Sequence, residues 1–120
     1  MRIMKKNVIK EKSYAFAIRV VRMYKTLVMR EKEYVLSKQC LLSGTAIGAL
    51  VAESEHAQSK ADFISKTSIA LKEANESLYW LDLLKDTDYL SESEHRSLYQ
   101  DADELVKILV SILKTSKNNK

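Results

Sequence analysis

The chain has 120 residues, with no proline, two glycines and one cysteine. That length suits one domain with a real core, and the near absence of turn residues excludes a many-stranded β protein. The formal net charge of +4 hides an asymmetry: residues 1–32 carry ten Lys/Arg against Glu11 and Glu31, a net of +8, whereas residues 33–120 carry ten against fourteen acids, a net of −4.

Hydrophobic periodicity predicts four helices. The first spans about residues 8–31, with Ile9, Ser13, Phe16, Val20, Met23, Tyr24 and Leu27 on one face. The second spans about 33–55, with Leu36, Cys40, Gly44, Ile47 and Val51 in its stripe. A third, about 60–86, starts from Ser59 with Asp62 three residues on, a variant of the capping box, and buries Phe63, Thr67, Ala70, Ala74, Leu78 and Leu81. Ser91 with Glu94 makes a fuller capping box for the fourth, about 92–114, whose stripe is Leu98, Ala102, Leu105, Leu109 and Ile112. The segment from Ser116 onward is expected to fray. Short connections force neighbours to run antiparallel, so the expected fold is all-α, a single-domain, up-down four-helix bundle.

Cys40, alone and set in an apolar stretch, cannot form an intrachain disulfide and reads as a buried, inert thiol in a reducing compartment. Apolar runs fall short of the roughly 18 residues that mark a bilayer span, and the basic residues near Met1 are followed by Asn7, Lys10, Glu11 and Lys12 rather than by an apolar signal core. A cytoplasmic location, away from membranes, is expected.

Two helices carry more apolar surface than a monomeric bundle needs. Tyr14, Ile18, Val21 and Met29 lie outside the first stripe, and Leu42, Ala46, Ala49 and Leu50 lie roughly opposite the second. No charged residue occurs from Cys40 to Ala52, and Gly44, Ala46, Gly48, Ala49 and Ala52 would let helix backbones approach closely. Helix 2 is therefore expected to be an oligomer interface built on Leu42, Ala46, Ala49 and Leu50.

Candidate chemistry is sparse. Glu53/His56 and Glu92/His95 have the Glu-x-x-His spacing of di-metal bundles. Their expected positions, away from the core stripe or at helix ends, are solvent sites, so no metal and no cofactor is expected. Glu73 and Glu76, flanked by Lys66 and Lys72, have the spacing of ordinary surface ion pairs. No nucleophile and base can be matched, and no phosphate loop or cysteine cluster is present, so the chain is not expected to be an enzyme. What remains is a basic stripe, in which Lys5, Lys12, Arg19 and Arg30 lie near one line, with Arg22 and Lys25 to one side and Tyr14 nearby. That pattern is the footprint of a phosphate-backbone binder or, equally, of a solvated face that maintains solubility.

The stretch Leu36-Ser-Lys-Gln39-Cys-Leu-Leu-Ser43-Gly-Thr-Ala-Ile47-Gly-Ala49-Leu-Val-Ala-Glu53 resembles the signature of the four-helix-bundle family also called the 23S rRNA-intervening sequence proteins, and Asp62 to Leu81 resembles its helix 3 block. The resemblance extends over nearly the whole chain. It implies an up-down bundle forming a homopentameric ring with no catalytic residues. It also brings in the related accessory proteins of diversity-generating retroelements, which bind a reverse transcriptase and nucleic acid through a basic surface. Gln39, Ser43, Ile47, Glu53 and Glu73 match the family's recurring positions, whereas Leu50 stands where the family often has Asn. The expected partners are further copies of the chain, RNA or DNA, and alternatively an acidic, polymerase-type protein.

Overall fold

The structure is a computed structural model that describes the backbone of residues 2–118 and the side chains of residues 8–118. Four helices follow in order: α1 (Arg2–Glu31), α2 (Leu36–Ser54), α3 (Lys60–Asp86) and α4 (Glu92–Asn118). Connections of four or five residues make each helix antiparallel to the last. Consecutive helices pack together, α1 also meets α4, and among the described residues the diagonal pairs make no close backbone approach, so the chain forms an up-down four-helix bundle measuring 49 × 22 × 19 Å.

The core is the set of stripes read from periodicity, widened on both sides. Ile9, Phe16, Val20, Met23, Leu27, Cys40, Ile47, Val51, Ala70, Ala74, Leu81, Leu98, Ala102, Leu105 and Leu109 are all buried. Tyr24, Leu36, Phe63 and Leu78, counted with the stripes, are only partly buried. The widening comes from geometry: a helix in a four-helix bundle touches two neighbours, so its buried arc exceeds one line of residues. Serines occupy several of these positions. The hydroxyls of Ser43 of α2 and Ser77 of α3 lie 3.0 Å apart, so one can donate to the other while the accepting hydroxyl donates to its own helix carbonyl, Cys40 for Ser43 or Glu73 for Ser77, which satisfies both inside the seam.

Helix ends follow local chemistry. The Ser91–Glu94 capping box is complete: the Ser91 N–H donates to Glu94 Oε1 at 2.8 Å and the Glu94 N–H to Ser91 Oγ at 3.1 Å. At α3 the Asp62 N–H donates to Ser59 Oγ, but the Asp62 carboxylate accepts from the Gln58 N–H rather than from the cap residue itself. Helix α3 ends in a Schellman turn, with Asp88 left-handed (φ 71), its N–H donating to the Lys85 carbonyl and the Tyr89 N–H to the Leu84 carbonyl.

Three boundaries differ from the periodicity. Helix α1 begins at Arg2 rather than near residue 8, and α4 continues to Asn118, past the expected fraying at Ser116. No glycine or proline stands in either stretch to stop a helix. Helix α2 begins at Leu36 rather than 33, because the buried Glu33 turns back as its cap. Glu33 Oε1 accepts from the N–H groups of Val35 (3.2 Å) and Leu36 (2.7 Å), and Oε2 accepts from Ser37 (2.8 Å). Lys32, left-handed at φ 55, supplies the reversal before it. A carboxylate three residues ahead of the helix escapes a search for Ser, Thr, Asp or Asn at the cap itself.

No helix among the described residues is long and apolar enough to cross a membrane.

Candidate nucleic-acid interface

The basic stripe of α1 divides into paired and unpaired halves. Lys12 Nζ lies 3.1 Å from Glu104 Oε2 of α4. Two turns further on, Arg19 spans the same seam: Nη1 meets Asp101 Oδ2 at 2.7 Å and the Ser97 carbonyl at 3.2 Å, and Nη2 meets Ser97 Oγ at 2.8 Å. These two cations hold α1 to α4, the least extensively packed of the four seams. Arg22, Lys25 and Arg30 are exposed and make no ion pair among the described residues. Lys5 lies outside the residues whose side chains are described. Lys12 and Arg19 of the expected stripe are thus paired with α4, whereas Arg22, Lys25 and Arg30 are its cations without an ion pair among the residues whose side chains are described.

At that end the α1–α4 seam opens into a groove of about 410 Å³. Arg19, Arg22 and Arg30 of α1 line it together with Tyr89 of the α3–α4 turn. Met23, Leu27, Leu90 and Leu98, all buried, form an apolar floor, and Glu31 and Glu94 also contribute to the lining. No single stretch of sequence announces this groove, because its walls come from residues about seventy positions apart.

The expected interface residues on α2 separate in a similar way. Leu42 is 54% exposed, Ala49 is exposed and Ala46 is half-buried, but Leu50 packs against the core. Leu50 lies within the wider buried arc of the bundle, which corrects its placement opposite the core. Gly44 and Gly48 do allow a close backbone approach, but toward α1 of the same chain: a Cβ at Gly44 would meet Val20 Cγ2 at 2.9 Å, and one at Gly48 would meet the Ser13 carbonyl oxygen at 3.4 Å. Further exposed apolar side chains are Tyr14 (69%) and Met29 (76%) on α1, and Tyr79 on α3.

The Glu-x-x-His pairs are dispersed. Glu53 is exposed and pairs with Lys66 at 3.6 Å, and His56 and Glu92 are exposed. His95, expected in solvent, is instead largely covered, its Nε2 lying 2.7 Å from Asp82 Oδ1 so that it pins α4 to α3. Glu73 and Glu76 form no ion pair among the described residues, since Lys66 is drawn to Glu53 and Asp62. Burial, reinforced by the charge of Glu76 and partly offset by Lys72, pushes the Glu73 carboxyl up. Burial alone pushes the Cys40 thiol up to about 12, so a thiolate is scarce there at neutral pH. No group of three or more His, Cys, Asp or Glu among the described residues is placed to hold a metal ion.

The sequence profile described as 23S rRNA-intervening sequence protein matches residues 5–111. Among solved structures the chain is similar to the 1.70 Å crystal structure of a protein of unknown function from the S23 ribosomal protein family of Bacteroides thetaiotaomicron VPI-5482, with a TM-score of 0.91 and 55% identity, over 92% of this chain and 98% of that one. No curated protein matches the chain.

Proposed function

The chain belongs to the 23S rRNA-intervening sequence protein family, and on that footing we propose that it is a non-enzymatic, homo-oligomeric bundle, pentameric as the family resemblance implies, that binds RNA or DNA through phosphates. The observation that carries this reading is the set of exposed cations Arg22, Lys25 and Arg30 on one end of α1, which make no ion pair among the described residues. Structural ion pairs elsewhere on the helix absorb Lys12 and Arg19, so these three are cations the fold does not need. Arginine suits phosphate in particular, because its planar fork can donate two parallel hydrogen bonds. Self-assembly is supported by the exposure of the apolar side chains Tyr14 and Met29 on α1 and Leu42 on α2. A closed ring would repeat the cationic end once per subunit and so multiply weak phosphate contacts.

The test is the light-scattering mass of the purified protein, with and without a short structured RNA, at low and high salt. The expected result is an oligomer that gains mass with RNA and loses it as salt rises. The variant combining Arg22→Glu, Lys25→Glu and Arg30→Glu should keep its helicity and its own mass but gain none from RNA. Undiminished binding by that variant refutes the phosphate contact, and a monomeric mass refutes the self-assembly. An oligomer indifferent to RNA at low salt would favour the alternative reading, an adaptor whose cationic end docks an acidic protein such as a polymerase or reverse transcriptase.

A further inference from the structure

We propose that the groove at the α1–α4 seam is a nucleotide pocket that takes one unpaired base of a single-stranded nucleic acid while Arg22 and Arg30 hold the flanking phosphates; this rests on the phosphate-binding reading above and specifies its ligand. A surface that only tracks phosphates needs cations and nothing else. Here the cations border a concavity of about 410 Å³, within the usual range of small-molecule sites, and its floor is made of Met23, Leu27, Leu90 and Leu98. An apolar floor offers nothing to phosphate and suits the face of a base.

Tyr89 supplies an aromatic wall in a fixed position. It follows the left-handed Asp88, and its N–H is tied to the Leu84 carbonyl at 2.8 Å by the Schellman turn, so its backbone is set before any ligand arrives. Arg19 is equally fixed, by Asp101 and Ser97, whereas Arg22 and Arg30 make no ion pair among the described residues. Thr26, Glu31 and Glu94 complete the lining; Glu94 Oε1 is taken by the Ser91 N–H of the cap, while the Glu31 carboxylate repels a phosphate but can accept from the amino edge of cytosine, adenine or guanine. A base-paired strand cannot use this pocket, because its bases are stacked in the helix and their faces cannot enter it. The mixture of arginine at the rim, hydrocarbon below and an aromatic beside it therefore selects an unpaired nucleotide over a duplex.

The experiment compares three labelled probes by fluorescence anisotropy at one salt concentration: a short RNA of alternating cytidine and adenosine, the same strand paired in a duplex, and an abasic strand of equal length. The unpaired RNA should bind about tenfold more tightly than the other two, the effect of one stacked base. Tyr89→Leu should abolish that preference while leaving duplex binding in place, and Tyr89→Phe should retain it. If the three probes bind native protein equally and Tyr89→Leu changes nothing, the pocket is refuted and phosphate binding stands. If no probe binds at low salt, both readings fall. Should Tyr89→Leu fail to fold, shown by loss of duplex binding and helicity, the contrast between unpaired and abasic strands on the native protein still decides the question.

Discussion

Gly44 of α2 sits against Val20 of α1 so closely that a Cβ at position 44 would lie 2.9 Å from Val20 Cγ2. Val20 is fully buried and β-branched, so it has no free rotamer into which to retreat. Gly48, one turn on, is different: its Cβ would stand 3.4 Å from the Ser13 carbonyl oxygen, in ordinary contact. The two glycines should therefore respond oppositely to the same substitution. Gly44→Ala is expected to destabilise by about 1–3 kcal/mol through overpacking, less the helix propensity gained. Gly48→Ala is expected to be neutral or to stabilise by up to about 1 kcal/mol. Urea unfolding of both variants measures the difference, and equal shifts would show that the close approach at Val20 is absent.

The pairing of Arg19 with Asp101 and of Lys12 with Glu104 makes the α1–α4 seam sensitive to salt. Both pairs are partly exposed, so each coupling should be small, roughly 0.5–1 kcal/mol in a double-mutant cycle. Arg19 should show the larger value, because its fork also binds Ser97. A coupling that persists undiminished in high salt would mean that packing of the Arg19 stem, rather than charge, holds the seam.

Glu33 ties the start of α2 through three backbone N–H groups. Burial works to raise its carboxyl pKa, but the hydrogen bonds from Ser37, Leu36 and Val35 outweigh it and hold the group below the usual carboxylate range. A depressed folded value means that the stabilisation is complete above the unfolded pKa of about 4.3 and fades as pH falls through the folded value. Glu33→Ala should cost about 1–2 kcal/mol at neutral pH, and the gap between native and variant proteins should close in acid. A gap that stays constant from neutral pH down to below the folded value would assign the effect to packing.

Cys40 should be silent toward thiol reagents in the native protein. It is fully buried, and its pKa is pushed up to about 12, so modification at neutral pH requires unfolding. Labelling with a chromogenic disulfide should be slow in buffer and immediate in denaturant. Fast labelling of native protein would reveal an opening of α2 from the bundle well below the global unfolding free energy.

Features that repeat within one helix, or that close within a few residues, were legible from the order of amino acids alone. The core stripes follow from the 3.6-residue period, and the Ser59 and Ser91 caps follow from contacts three residues apart. Glu33 is also local, but it stands two residues ahead of Val35, the position where a capping residue is sought. The tertiary structure decided everything that joins distant parts of the chain. Lys12 and Arg19 read as free cations until α4 brings Glu104 and Asp101, 92 and 82 residues later, against them. Gly48 reads as a site of close helix approach between subunits until the Ser13 backbone of the same chain is found against it. The groove exists only where α1 and the α3–α4 turn converge, and Arg22 and Arg30 stand out there because no acid on a neighbouring helix reaches them among the described residues. Which charges the fold neutralises depends on which helices become neighbours, and a pattern along one helix carries no record of what faces it.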